Sequence, residues 1–135
     1  MTDQIIKEEV KKDEVKTDAV KVAADPRISY DDFKKVEIKV GKILSAEKIE
    51  KSEKLLKLSV DFAEVSPRQI VSGIAKHFPD ASALVGKKVA FVTNLEPKPL
   101  MGLESNGMIL AVGGGDEPFA LFEVPAEISP GAKAK

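Results

Sequence analysis

From Val36 onward, apolar and polar residues alternate with a period of two. Val36-Glu-Ile-Lys-Val-Gly-Lys-Ile43 predicts a half-buried strand, and Gly41 inside it predicts a bulge or sharp bend. Leu55–Phe62 repeats the pattern, with Leu56, Leu58, Val60 and Phe62 on one face. Pro67 bounds a third strand, Arg68–Ile74, at a spacing that suits a hairpin. Ala75–Val85 has helical character and Gly86 ends it. Lys87–Thr93 and Met108–Val112 read as the fourth and fifth strands. Gly113–Pro118 turns the chain into a sixth, Phe119–Val124, and Ile128–Lys135 reads as a short extended tail. Upstream, Ser29 is a candidate N-cap with Asp31 and Asp32 in the first turn of a short helix.

The pattern fails before residue 27. Ile5, Ile6, Val10, Val15, Val20 and Val22 are sparse, and Lys and Glu alternate around them without an aromatic. Such a segment cannot bury enough surface to offset its ordering entropy, so residues 1–26 are expected to be a charged tail or linker, ahead of one domain at 27–135.

Composition narrows the chemistry. There are no cysteines and one histidine, which excludes disulfides, thiolate metal sites, thiol catalysis and any multi-histidine metal centre. His77 adjoins Phe78 and reads as structural or superficial. Ser72 and Ser105 have no identifiable base, and Gly113-Gly-Gly115 lacks the Gly-Lys-Ser/Thr of a phosphate loop. No enzyme, cofactor or metal is expected. No apolar run approaches the ~20 residues of a membrane span and no secretory core opens the chain, so the cytoplasm and no membrane partner are expected. The 21 basic and 22 acidic residues give a net charge of −1, so any polyanion site must be a patch assembled by folding.

Strand–strand–strand–helix–strand–strand is the order of the OB-fold, a five-stranded Greek-key barrel; an SH3-like barrel or a small sandwich has a similar inventory. The stretch Asn94-Leu-Glu-Pro-Lys-Pro-Leu-Met-Gly-Leu-Glu-Ser-Asn-Gly-Met108, rich in turn formers between two strands, is expected to be a long shaped loop. Lys39, Lys42, Lys54, Lys57, Lys87, Lys88 and Lys98 fall on or beside the strands, where a nucleic-acid backbone could track. One tyrosine and six phenylalanines, mostly at core positions, disfavour a single-strand binder that works by stacking. Recognition of a folded RNA by shape and backbone fits better.

Five blocks, Val36–Ile43, Lys54-Leu-Leu, Ile70-Val-Ser-Gly-Ile74, Gly86-Lys-Lys-Val and Asn94-Leu-Glu-Pro…Gly102-Leu-Glu-Ser-Asn-Gly-Met108, occur in order. Together they resemble the tRNA-binding domain at the C-terminus of many bacterial methionyl-tRNA synthetases. The domain also occurs as free-standing tRNA-binding proteins and in the endothelial-monocyte-activating-polypeptide class. The resemblance covers about residues 28–135. It implies an OB-fold with a C-terminal extension, a homodimer, and sequence-tolerant tRNA binding that assists a synthetase catalytic domain in cis or in trans, with the C-terminal appendix of a methionyl-tRNA synthetase as the leading reading. It implies tRNA-binding roles for Lys39, Lys42, Lys54, Ser72, Asn94, Lys98, Ser105 and Met108. Lys39, Lys42 and Lys98 would meet phosphates and Asn94 and Ser105 sugar or base edges, with Met108 beneath the loop in preference to against a base. The alternative implied is a chaperone-like or protein-interaction module, similar to bacterial secretion-associated relatives. Family members commonly carry Pro-x-Lys/Arg in the loop, often with a second basic residue two positions on. Here Pro99 and Met101 hold those positions and Lys98 stands one residue early.

Overall fold

A computed structural model describes residues 25–135. The expected tail at 1–26 lies outside the described residues except for its last two. Among the described residues, those up to Phe33 fall in one unit and Lys34–Lys135 in another. In the first unit a single helical turn, α1 (Tyr30–Phe33), starts at Ser29, whose Oγ accepts from Asp32 N at 3.0 Å as the capping pattern predicts.

The second unit is a β-barrel. Its main sheet runs β3 (Arg68–Ser72), β2 (Leu56–Asp61), β1 (Ile38–Lys48), β4 (Lys88–Val92), β7 (Met108–Ile109), antiparallel throughout. This five-stranded order, wrapped around one core, matches the expected OB-type barrel. The core is made by the alternating faces: Leu56, Leu58, Val60 and Phe62 are at most 2% exposed, and Ile43, Ile70, Leu84, Val89 and Phe91 are fully buried. Phe62 and Phe91 meet edge to face with ring centroids 5.3 Å apart.

β1 is longer than predicted because it serves two neighbours. Its first half pairs with β4 and its second half with β2. Gly41 makes the crossing possible by close approach: a Cβ there would run into Val60 and lie 2.7 Å from Phe62 Cε1. The bulge itself falls slightly later, where the register shifts between Ile43 and Ser45.

Four expectations need correction, the last of them at the C-terminus. The helix expected over Ala75–Val85 is two 3-10 turns, Ala75–His77 and Ala81–Leu84, the second capped by Asp80 on Ser82 N. Pro79-Asp80 between them interrupts continuous helix. The long loop after β4 contains a hairpin, β5 (Lys98–Leu100) with β6 (Leu103–Ser105). The fifth strand is split: β7 completes the barrel sheet, whereas β8 (Ala111–Gly114) pairs with β9 (Glu117–Leu121) in a separate hairpin turned by the glycine run.

The C-terminal residues are not a free tail. Val40 N donates to Ala132 O at 2.8 Å, Gly131 N to Val40 O at 2.7 Å and Ala134 N to Ile38 O at 2.8 Å. They occupy the edge of β1 beyond the end of β2, so the chain's end completes the pairing of its first strand.

Candidate nucleic-acid interface

Strand directions define two ends. β1 begins, and β4 and the hairpin loop emerge, at one end; the β1–β2 turn and the last residues of β3 lie at the other. β2 alone advances on the order of 17 Å between them at strand rise. Lys39, Asn94, Lys98 and Met108 gather at the hairpin end, while Ser105 lies against Val71 on the free edge of β3. Lys54 and Ser72 lie at the opposite end, where Lys54 O accepts from Ala75 N and Ser72 stands opposite Leu56. Lys42 sits between the two, so the expected residues do not converge on one spot.

The two lysines flanking the bend face opposite ways, as a three-residue separation on a strand requires. Lys39 shares its face with buried Phe91, its register partner; its side chain is 18% exposed and its Nζ lies 3.6 Å from Glu37 Oε1. Lys42 is outward and exposed, opposite Asp61 and Lys88. Other basic side chains are engaged. Lys57 pairs with Glu47 and Lys87 with Glu123, while Lys88 Nζ donates to the carbonyls of Ala126 and Ile128. Of the seven lysines that the sequence places on or beside the strands, Lys42, Lys54 and Lys98 are exposed, outside the ion pairs and open to a phosphate.

Asn94 and Ser105 both bond to the backbone of neighbouring segments. Asn94 Oδ1 accepts from Glu37 N at 2.8 Å and its Nδ2 donates to Lys35 O at 2.6 Å, so the amide clips the lead-in of β1 to the end of β4. Ser105 is 4% exposed; its Oγ accepts from Val71 N at 3.0 Å and lies within donating distance of Val71 O and Gly107 O. With Asn106 N donating to Gln69 O at 2.9 Å, this bond joins the free edge of β3 to the loop and closes the barrel. These bonds hold the loop in place, and Asn94 remains exposed with an N–H and a lone pair left over.

Met108, expected beneath the loop, is 48% exposed. With Leu95, Lys98, Leu100 and Gly107 it lines a groove of about 540 Å³ at the foot of the hairpin. The hairpin tip is Met101-Gly102, with φ of 52° and 80°, inside the Leu100–Leu103 pair. Two successive left-handed residues mark the tight turn that matches strand twist, and Met is an unfavourable first member.

Arg68 is the residue the sequence did not flag. Its guanidinium grips Glu64 at 2.9 and 2.7 Å, donates to Thr93 O at 2.6 Å and Asn106 O at 3.3 Å, and lies 5.3 Å from the Phe62 ring centroid. It thereby ties together the start and finish of the hairpin loop. Glu64 is held below the usual carboxylate range chiefly by this fork. Glu37 is lowered too, first by the Thr93 hydroxyl, at 2.6 Å, and then by Lys39 and Lys133. The sequence signal for Arg68 was a charge at the start of a strand with Glu64 four residues before it. His77, read as structural, stacks on Phe119 with centroids 3.9 Å apart and planes 4° from parallel.

A small OB-type barrel with an open lysine on its wall and a pinned hairpin beside an apolar groove defines the class: a small β-barrel with a candidate binding face. Comparison supplies the family. Residues 38–133 match the family model described as "Putative tRNA binding domain". The chain is 51% identical to the methionine–tRNA ligase of Myxococcus xanthus over 108 residues, 80% of this chain but 15% of the ligase. Among solved structures, it is similar to the MetRS related protein from Pyrococcus horikoshii (41% identity, TM-score 0.75, covering 82% of this chain and 100% of that one). It is also similar to the CsaA chaperone protein from Picrophilus torridus (26% identity, TM-score 0.69, covering 81% and 100%). This chain belongs to the tRNA-binding domain family, and corresponds to an accessory portion of the ligases, not to their catalytic body.

Proposed function

We propose that this domain holds tRNA for a methionyl-tRNA synthetase, as an appendix in cis or a helper in trans, through contacts largely indifferent to sequence. The observation that carries the reading is the 51% identity to a 15% portion of a methionine–tRNA ligase. The chemistry agrees: Lys42, Lys54 and Lys98 are open cations for phosphate. Met108, Leu95 and Leu100 offer an apolar floor on which an unstacked base can rest beside Lys98. Asn94 and Ser105 serve the site by fixing the loop. The setting is cytoplasmic, where tRNA charging takes place. A homodimer is part of the proposal, supported by half-exposed Val112 and Phe122 on the segment that extends beyond the barrel.

Adding the domain to a ligase catalytic body that lacks it tests the reading. Aminoacylation at limiting tRNA is expected to rise, and Lys98→Glu to abolish the gain; no gain with the unaltered domain contradicts it. Light scattering after size exclusion reads the dimer directly. One observation favours a second reading, a peptide-holding chaperone: the apolar groove, in a fold shared with CsaA. Suppression of aggregation of an unfolded protein, lost on Met108→Glu but kept in Lys98→Glu, would support that role instead.

A further inference from the structure

The end of the chain brings a second lysine to the first strand. Lys133 and Lys39 are bridge partners, so their side chains leave neighbouring strands on the same face. Two like charges so placed repel, and one carboxylate lies between them: Glu37 Oε1 is 3.6 Å from Lys39 Nζ, and Glu37 Oε2 is 3.7 Å from Lys133 Nζ. Both distances exceed direct hydrogen-bond length. The carboxylate is anchored elsewhere, by the Thr93 hydroxyl at 2.6 Å. The ammonium groups are therefore the movable partners, and one negative charge for two positive leaves the pair an excess cation. Lys133 is the more accessible, with a side chain 63% exposed against 18% for Lys39. It also lines a cleft of about 230 Å³ with Lys34, Lys35 and Asn94.

We infer that Lys133 and Lys39 form a seat for an RNA phosphate, so that the C-terminal strand is part of the tRNA surface and Glu37 tunes it by competing for both lysines. This inference rests on the proposed tRNA reading and adds a contact the sequence pattern did not offer. Lys133 reaches the seat through backbone pairing at Ala132 and Ala134, so its side chain can be changed without removing the strand.

The test is filter binding of unfractionated tRNA to the full chain, from ~50 to ~200 mM salt. Lys133→Met is expected to weaken binding and lower the log–log salt slope by about 0.7–0.9, one phosphate contact. Lys133→Arg is expected to keep the slope, and Glu37→Gln to tighten binding. Thermal melting of each variant establishes that it is folded at the assay temperature. A folded Lys133→Met chain with the wild-type slope overturns the seat while leaving the tRNA reading intact. Failure of the wild-type chain to retain tRNA overturns both.

Discussion

The two ends of the barrel spend their polar side chains differently. At the hairpin end, Thr93, Asn94, Ser105, Gln69 and Arg68 all bond to backbone, and each bond fastens the loop or the lead-in of β1. At the opposite end the β1–β2 turn is held by Ser52, whose Oγ accepts from the N–H groups of Lys54 and Leu55 at 3.2 Å, and the Lys54 side chain stands clear. A loop rich in Asn and Ser therefore announces a shape before it announces a ligand, because buried backbone groups claim such side chains first. Contact with RNA falls to what remains: lysines without a carboxylate or sharing one, and apolar side chains without cover.

The largest effects should separate the two ends. Arg68→Met strips the bonds to Thr93 O and Asn106 O and leaves Glu64 without its fork, and is expected to cost about 1–3 kcal/mol in urea unfolding. Lys54→Met at the far end should stay within about 0.5 kcal/mol. Ser105→Ala removes the partner of Val71 N and is expected to cost about 1–2 kcal/mol, with faster amide exchange in Leu103–Ser105 than in the β1–β2 ladder. Equal costs at both ends would dissolve the contrast.

Acid should act at the hairpin end as well. Glu37 and Glu64 both have folded pKa values below the ordinary ~4.3 of a glutamate. Their contribution is complete at neutral pH and is lost as pH falls through the folded values. Stability should thus decline below about pH 4, and Glu64→Gln should flatten that decline. The smallest effect belongs to the hairpin tip. Met101→Asn suits the left-handed position and should add a few tenths of a kcal/mol, up to about 1. Met101→Lys should tighten tRNA binding without raising stability.

The core was legible in sequence because period-two alternation is a physical requirement of a half-buried strand. Leu56, Leu58, Val60 and Phe62 declared their face, whereas Gly41 marks a close approach to Val60 and Phe62 and the bulge falls between Ile43 and Ser45. The split of the fifth strand was not legible, since Met108–Val112 is one apolar run and its change of partner is set by distant Phe91 and Leu121. The 3-10 turns were hidden by local composition that also suits a helix. Within the site, open lysines were visible as residue types, but which of them kept a carboxylate was not. The pairing of Lys39 with Lys133 spans most of the chain and leaves no periodic trace. Arg68 was overlooked because two of its partners are the backbone carbonyls of Thr93 and Asn106, distant in sequence and available in any chain.

The central claim is that the barrel binds tRNA through open lysines on its wall and hairpin, with phosphates supplying most of the affinity. The most direct measurement is the salt dependence of tRNA retention by the wild-type chain beside Lys42→Glu and Lys98→Glu. The claim predicts affinity falling steeply between ~50 and ~200 mM salt, and a slope reduced by about 0.7–0.9 or more in each variant. Retention indifferent to salt, or slopes unchanged by both substitutions, would contradict it.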